Sequence, residues 1–296
     1  MLDPRDTSRD RDGEARYRQY EGPERSDDPR EALLNDLDLP LGREREVVLD
    51  RERVYELNGD ESRTLATVGA FRVVPERDLA GHRHDSPEWD ETLAHLQEQG
   101  LVQTVALGDH EQGLTLTDRG LDLLEANRGA GSDEDGQAFH AGVGKARELH
   151  HDSHLFAAYR LTEARLRDQH GGTAEVRRVV LEEDLKREYQ SFLQDHNRDR
   201  PESDGRPDRD QDEIRAWARQ HDLPYFDDQL HFPDFRVEYE VDGRDRHEDV
   251  ELLTPHYRGA HAASRAASGF RCFRIGGVGG GRGGSRHPRL AEEPLA

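Results

Sequence analysis

The most regular alternation of apolar and charged residues lies between Asp234 and Val241. A period of two is typical of a β-strand with one buried face. Asp242-Gly243 follows directly, and this dipeptide is favoured in the type I′ turn of a two-residue hairpin. We therefore predict a β-hairpin whose turn fixes its register. The predicted cross-strand pairs are Val241 with Arg244, Arg236 with Asp249, and Asp234 with Glu251.

Helical spacing of apolar residues dominates residues 55–127. One helix is predicted from the spacing of Leu65 to Phe71, with Ser62 as its N-cap. Another is predicted to begin after Ser86-Pro87 and to end at Gly100, after a short helical turn between the two. Two strands around a turn and a closing helix complete the unit. The order helix, helix, helix, hairpin, helix predicts a winged helix-turn-helix.

The composition separates folded from unfolded parts of the chain. The net charge is −22, with 36% charged and 32% hydrophobic residues, so some segments cannot bury enough apolar surface to order themselves. The single cysteine excludes an internal disulfide, and no apolar run predicts a signal peptide or a membrane span. We therefore expect a cytoplasmic protein without a membrane partner. The predicted divisions are a disordered tail at 1–44, a winged helix at 45–128, a linker at 129–140, a second domain at 141–275 with an insertion near 198–211, and a disordered tail at 276–296.

Candidate chemistry gathers on the predicted hairpin. Asp234 and Glu251 would face each other, and opposed carboxylates destabilise a sheet unless a cation lies between them. Carboxylate pairs of this kind bind Mg²⁺ or Mn²⁺, so Asp234 and Glu251 are the candidate metal ligands. The alternative is that both carboxylates lie solvated near a sheet edge beside Arg236.

The hairpin resembles the core of the PD-(D/E)xK nucleases. Pro233-Asp234 precedes one strand, and an acid-x-acid pair, Asp249 and Glu251, lies on the next, followed by a helix and a strand. The resemblance implies an acid-bearing first helix, for which residues 179–193 with Glu183 are the candidate. The family's lysine is replaced by glutamate, so cleavage is not expected, and no cofactor is then needed. If the site were active, the implied catalytic residues would be Asp234, Asp249, Glu251 and Glu183, with Mg²⁺ or Mn²⁺ bound.

The helix predicted at residues 87–99 would enter the major groove of duplex DNA. Residues 51–128 hold eight Arg against sixteen Asp or Glu, which opposes the electrostatic part of DNA affinity. A winged helix used for dimerisation or for docking a protein is therefore the alternative. A salt-rich cytoplasm, which the acidity suggests, would screen that repulsion. The candidate DNA-binding residues are Arg63, Arg83, Thr92, His95, Gln97, Gln99 and Arg258.

The order of modules resembles the replication-relaxation family of plasmids and conjugative elements. The resemblance rests on LTLTDRGLDLL, on His151-Asp152 with Tyr159 beyond it, and on PDFRVEYE with EDVELL. It implies an α/β (α+β) protein: a winged helix-turn-helix followed by a nuclease-like mixed-sheet domain. The implied function is an accessory role in mobile-element replication or transfer on double-stranded DNA, with a relaxase or another mobile-element protein as partner and a homodimer as an allowed state. The alternatives are a metal-dependent DNA endonuclease and a transcriptional regulator whose second domain binds proteins.

Overall fold

The computed structural model has a mixed α and β fold. It describes residues 28–51, 53–81, 86–108, 111–129, 136–195, 209–253 and 268–275, and the backbone of 290–293. Within these ranges no helix is both long enough and apolar enough to cross a lipid bilayer.

The first half of the chain contains the elements predicted for it. A 3₁₀ turn and a two-stranded ribbon precede helix α1, which ends beside the short strand β3. Helices α2 and α3 follow, and the hairpin β4–β5 completes a sheet in the order β3-β5-β4 before α4. The elements are the 3₁₀ turn Glu31–Leu34, β1 Glu46–Asp50, β2 Arg53–Leu57, α1 Gly59–Phe71, β3 Val74–Pro75, α2 Glu76–Ala80, α3 Pro87–Glu98, β4 Val102–Gly108, β5 Glu111–Leu116 and α4 Asp118–Ala126.

The second half is built around a five-stranded sheet in the order β12-β11-β10-β9-β6. Strand β9 is antiparallel to both β6 and β10, whereas β11 is parallel to β10. Helix α6 leads into β6, and α7, α8 and the small β7–β8 hairpin lie between β6 and β9. The elements are α5 Leu149–Asp152, α6 Leu155–Gln169, β6 Glu175–Leu181, α7 Glu182–Asp195, α8 Gln211–Gln220, β7 Tyr225–Phe226, β8 Gln229–Leu230, β9 Phe235–Val241, β10 Arg244–Leu253, β11 Arg271–Ile275 and β12 Leu290–Glu293.

The predicted hairpin register is confirmed for two of its three pairs. Val241 lies opposite Arg244, and Arg236 lies opposite Asp249. Asp242 and Gly243 both have positive φ, as a type I′ turn requires. The backbone ladder ends at Phe235 and Val250, one position before the third predicted pair.

Three boundaries differ from the sequence prediction. Part of the predicted tail at 1–44 is ordered, because Leu33, Leu34 and Leu39 are buried in the core. The end of the predicted linker is packed as well: the Gln137 side-chain amide donates to the carbonyl of Val179 and accepts from its N–H, and so caps the edge of β6. In the predicted C-terminal tail, residues 290–293 form β12 against β11. Most of the predicted insertion near 198–211 lies outside the described residues.

The two halves share one hydrophobic core. Phe71, at the end of α1, lies with its ring centroid 5.4 Å from Phe156 and 5.3 Å from Tyr159, both on α6. It also meets Phe235 of β9 edge-on at 6.4 Å. The N-terminal segment strengthens this junction, because the Tyr159 hydroxyl donates to the carbonyl of Pro29. The sheet and the N-terminal helices are therefore packed together and not merely tethered.

Candidate functional site

Asp249, a predicted catalytic carboxylate, is held by an arginine of the neighbouring strand. The Arg236 guanidinium binds it with two hydrogen bonds, Nε to Oδ1 at 2.6 Å and Nη2 to Oδ2 at 3.0 Å. The two side chains are 8% and 10% exposed. Arg236 Nη1 also donates to the carbonyl of His221, just after α8, at 2.9 Å. A two-point contact of this kind is among the strongest between side chains, and it neutralises the carboxylate charge that would attract a metal ion.

Asp234, the second predicted ligand, also has internal partners. Its Oδ2 accepts a hydrogen bond from the backbone N–H of Leu252 at 2.6 Å. The same oxygen lies 3.2 Å from Nε2 of His151, and the other ring nitrogen of His151 lies 3.3 Å from Asp152. His151 is thus placed between two carboxylates. The backbone pairing of β9 with β10 ends at Phe235 and Val250, and the Asp234 side chain adds a hydrogen bond to β10 beyond that point. Asp234 therefore holds β9 against β10.

The charge of His151 follows from this placement. Burial alone lowers the pKa of His151, but the hydrogen bonds and negative charges of Asp152 and Asp234 outweigh burial and raise the pKa to about 10. His151 is therefore an imidazolium at neutral pH, with one N–H directed to each carboxylate. The neighbouring His154 is the opposite case, since burial lowers its pKa to about 4.

The predicted metal site does not fit Mg²⁺ or Mn²⁺. Glu251 is 1% exposed, whereas these ions keep several waters and take the remaining ligands from a substrate phosphate. Asp249 faces Arg236 and Asp234 faces His151, so cations of the protein itself already neutralise both carboxylates. Asp234 and Asp249 therefore belong to a network of ion pairs within the sheet, and Glu251 is buried two residues beyond Asp249 on β10. A catalytic role for these three residues stays a prediction.

Glu183, the fourth predicted catalytic residue, contacts other partners. Residues 179–181 belong to strand β6, so the helix predicted from Val179 begins only at Glu182. The Glu183 carboxylate accepts a hydrogen bond from Nε of Arg72, which lies at the C-cap of α1. It also lies 3.4 Å from Nδ1 of the buried His140. Glu183 therefore ties the sheet to the N-terminal helices.

A different trio comes closest to a metal-binding arrangement. Among the described residues, His140, Glu183 and Asp184 form the group of three whose ligand atoms lie within 4.8 Å of one another. His140 Nε2 is 3.2 Å from Asp184, and Arg187 donates to the other oxygen of Asp184 at 2.6 Å. Burial raises the pKa of the Asp184 carboxyl, but His140 and Arg187 outweigh it and lower that pKa below its usual value. A divalent ion here would have to displace the guanidinium groups of Arg72 and Arg187.

Helix α3 begins as predicted, since the Ser86 hydroxyl accepts from the N–H of Trp89. Three of its four predicted base-reading residues are engaged within the protein. Thr92 is buried, and its hydroxyl donates to the carbonyl of Glu88. His95 Nδ1 lies 2.8 Å from the buried Glu61. The Gln99 amide binds the N–H and the carbonyl of Glu56 in β2. The Thr92 hydroxyl is therefore directed into the protein, whereas Gln97 is exposed.

The solvent face of α3 is acidic. Besides Pro87, Ala94 and Gln97, it exposes Glu88, Asp90, Glu91 and Glu98. Arg63, also predicted to bind DNA, is 16% exposed and ion-paired with Glu31 at 2.7 Å. The predicted contacts Arg83 and Arg258 lie outside the described residues. Glu91 is paired with Arg45 at 3.3 Å, and the net negative charge of this face opposes phosphate binding at low ionic strength.

The sequence did not indicate the partners that neutralise the carboxylates, apart from Arg236, whose position followed from the hairpin register. His140 and Arg72 were missed, because both lie far along the chain from Glu183.

Comparisons of the chain with protein-family models, with curated proteins and with solved structures found no match.

Proposed function

We propose that the protein is a DNA-binding accessory protein with a winged helix-turn-helix unit and a PD-(D/E)xK-like sheet that does not cleave. The observation that carries the non-cleaving part is the buried two-point contact between Arg236 and Asp249. The element order from α1 to α4 supports the assignment of the first unit. The strand directions from β6 to β11, two antiparallel pairs and then one parallel pair, support the assignment of the second, in which β12 adds an antiparallel edge strand. The proposal includes a role in the replication or transfer of a mobile element, with a relaxase as partner.

If the nuclease-like sheet does not cleave DNA, supercoiled plasmid should stay intact. Purified protein with Mg²⁺ or Mn²⁺, at moderate and at high salt, should leave the plasmid supercoiled, because internal cations occupy the carboxylates. The variants Asp234→Asn and Asp249→Asn keep the size of the side chains and serve as controls in a gel assay, and circular dichroism checks that both are folded. Metal-dependent nicking by the natural protein that both variants lose would establish the endonuclease instead. Nicking that persists in both variants would come from a contaminating nuclease.

If the winged helix binds DNA, its affinity for duplex DNA should depend on salt in an unusual way. Most DNA-binding proteins lose affinity as salt rises, because they release counterions from phosphates. Here the acidic face of α3 should make binding to a random-sequence duplex weak at about 0.1 M salt and stronger at about 1 M, where the Debye length falls to about 3 Å. Fluorescence anisotropy across this range measures the effect.

A matched pair of double variants tests whether α3 faces the duplex. Glu91→Gln with Glu98→Gln should strengthen binding at low salt and change it little at high salt. The same neutralisation on the second half of the chain, Glu188→Gln with Asp212→Asn, should have a smaller effect. Equal effects of the two double variants would place the DNA elsewhere on the molecule.

The acidic face of α3 favours a second candidate function. A winged helix whose exposed helix carries four carboxylates suits a basic protein surface, as in a regulator that docks a protein partner. The salt series separates the two candidates. Absence of duplex binding at every salt concentration would leave the protein-docking function and remove DNA from the proposal.

A further inference from the structure

Apolar side chains are exposed together on the ribbon formed by β1 and β2. In the described part of the chain, five large apolar side chains are markedly exposed, and three of them are Val47 (64%), Leu49 (58%) and Val54 (66%). These three form the outer face of the ribbon, here called the ribbon face. Leu49 and Val54 are directly opposed across the two strands. Contiguous exposed apolar surface of this kind marks an interaction site more often than isolated apolar residues do.

The inner face of the same ribbon is packed. Val48, Tyr55 and Leu57 alternate with the exposed residues and are buried in the core. The ribbon is therefore held in place by one face, so the exposure of the other face is a fixed property of the fold.

The edges of the ribbon are blocked by side-chain amides. Gln99 binds the N–H of Glu56 at 2.9 Å and its carbonyl at 3.0 Å, on the outer edge of β2. On β1, the Asn127 amide donates to the carbonyl of Leu49 at 3.0 Å. Side chains that occupy strand edges prevent the addition of a further strand. These bonds hinder strand addition at the edges, and the apolar face is the more accessible surface of the ribbon.

Charge along the ribbon face indicates which partner fits. Arg51 lies two residues beyond Leu49 at the turn end, and Glu56 lies two residues beyond Val54 at the open end, both exposed. The Leu49–Val54 pair is thus midway between a positive and a negative group. A second ribbon laid antiparallel over the first would bring the turn end of each copy, with Arg51, to the open end of the other, where Glu56 lies beside Val47.

We propose that the ribbon face is the interface of a homodimer with twofold symmetry, in which two ribbons pack face to face and antiparallel. A self-complementary patch is what such an interface requires, since each copy offers the same surface. Val47, Leu49 and Val54 supply the apolar contact, and the two Arg51–Glu56 pairs set the orientation. This inference does not depend on the proposed DNA-binding function, and its test contains no DNA.

Sedimentation equilibrium of the full chain at about 0.1 M salt, over about a hundredfold range of concentration, tests the apolar contact. The natural chain should show a monomer–dimer equilibrium. Leu49→Thr with Val54→Thr keeps strand-forming residues and should raise the dimer dissociation constant at least about tenfold. Leu161→Thr, at an exposed apolar residue of α6, is the matched control and should leave that constant unchanged. A natural chain that stays monomeric, or a double variant that dimerises equally well, would overturn the interface.

A charge exchange tests the orientation. Arg51→Glu or Glu56→Arg alone should weaken the dimer, because each places like charges at both ends of the contact. Mixing the two variant proteins should restore dimers, since one copy then carries acid at both ends and the other carries base at both ends. Circular dichroism checks that each variant is folded. Weakening by both variants without recovery in the mixture would rule out the antiparallel arrangement.

Discussion

Replacing Arg236 with methionine should lower the free energy of unfolding by about 3 to 5 kcal/mol, the usual cost of leaving one charge of a buried ion pair uncompensated. Asp249 would remain buried at 10% exposure with no opposite charge on its two oxygens. The carbonyl of His221 would lose a hydrogen bond as well. Chemical denaturation followed by circular dichroism measures the change.

Two controls show whether the burial of the pair is the cause. Arg236→Met with Asp249→Leu removes both charges and should recover most of the loss, because an apolar pair of similar volume often replaces a buried ion pair without cost. Arg177→Ala breaks an ion pair with Glu240 on the same sheet, but Arg177 is 53% exposed, so the expected loss is below about 1 kcal/mol. A loss of that small size for Arg236→Met would contradict our description of the site.

His151 should make the protein lose stability as the pH rises from about 6.5 to about 10. Its pKa is raised on folding, so the folded state holds the proton more tightly than the unfolded state. The stabilisation is complete below the unfolded pKa and disappears as the pH passes the folded pKa. His151→Gln should therefore cost about 1.5 to 3 kcal/mol near pH 6.5, the usual range for hydrogen bonds to charged groups, and almost nothing above pH 10.

The measurement is the free energy of unfolding of the natural chain and of His151→Gln at several pH values from 6.5 to 10. His154 does not disturb this window, because its pKa is lowered on folding to about 4 and its effect falls below pH 6.5. His170→Gln, a histidine outside the carboxylate cluster, is the control substitution. A difference between the natural chain and His151→Gln that stays constant with pH would show that His151 is not the titrating group.

Local patterns in the sequence predicted many elements of the fold. The β9–β10 register could be predicted because the strand period and a two-residue turn together leave no freedom to slide. The start of α3 could be predicted because a serine hydroxyl can accept from an N–H of the first turn, as Ser86 does from Trp89, and Pro87 has no N–H that needs an acceptor. At α1 the predicted cap was wrong: Asn58, not Ser62, accepts from the N–H of Glu61, whose side chain binds back to Asn58. That reciprocal Asn-x-x-Glu pattern was visible in the sequence.

Other features could not be read from local patterns. Residues 179–181 are apolar and short, and such a run fits a buried strand as well as the first turn of a helix. The cations around the carboxylates come from separate parts of the chain, since Arg72 precedes Glu183 by 111 residues. Alternation and spacing describe neighbours within one element or across one tight turn. They therefore predict Arg236 opposite Asp249 but cannot predict His151 beside Asp234.

The shared core around Phe71 has a geometric consequence for any long ligand. Rings from α1, α6 and β9 pack against one another, so the angle between the two halves is set by side-chain packing. Two modules on a flexible linker can adjust to any spacing of their targets, whereas a rigid body cannot. If both halves contacted one DNA duplex, the two contacts would be in phase only at separations that differ by whole helical turns of about 10 base pairs. Inserting half a turn between them would rotate one contact to the far side of the DNA.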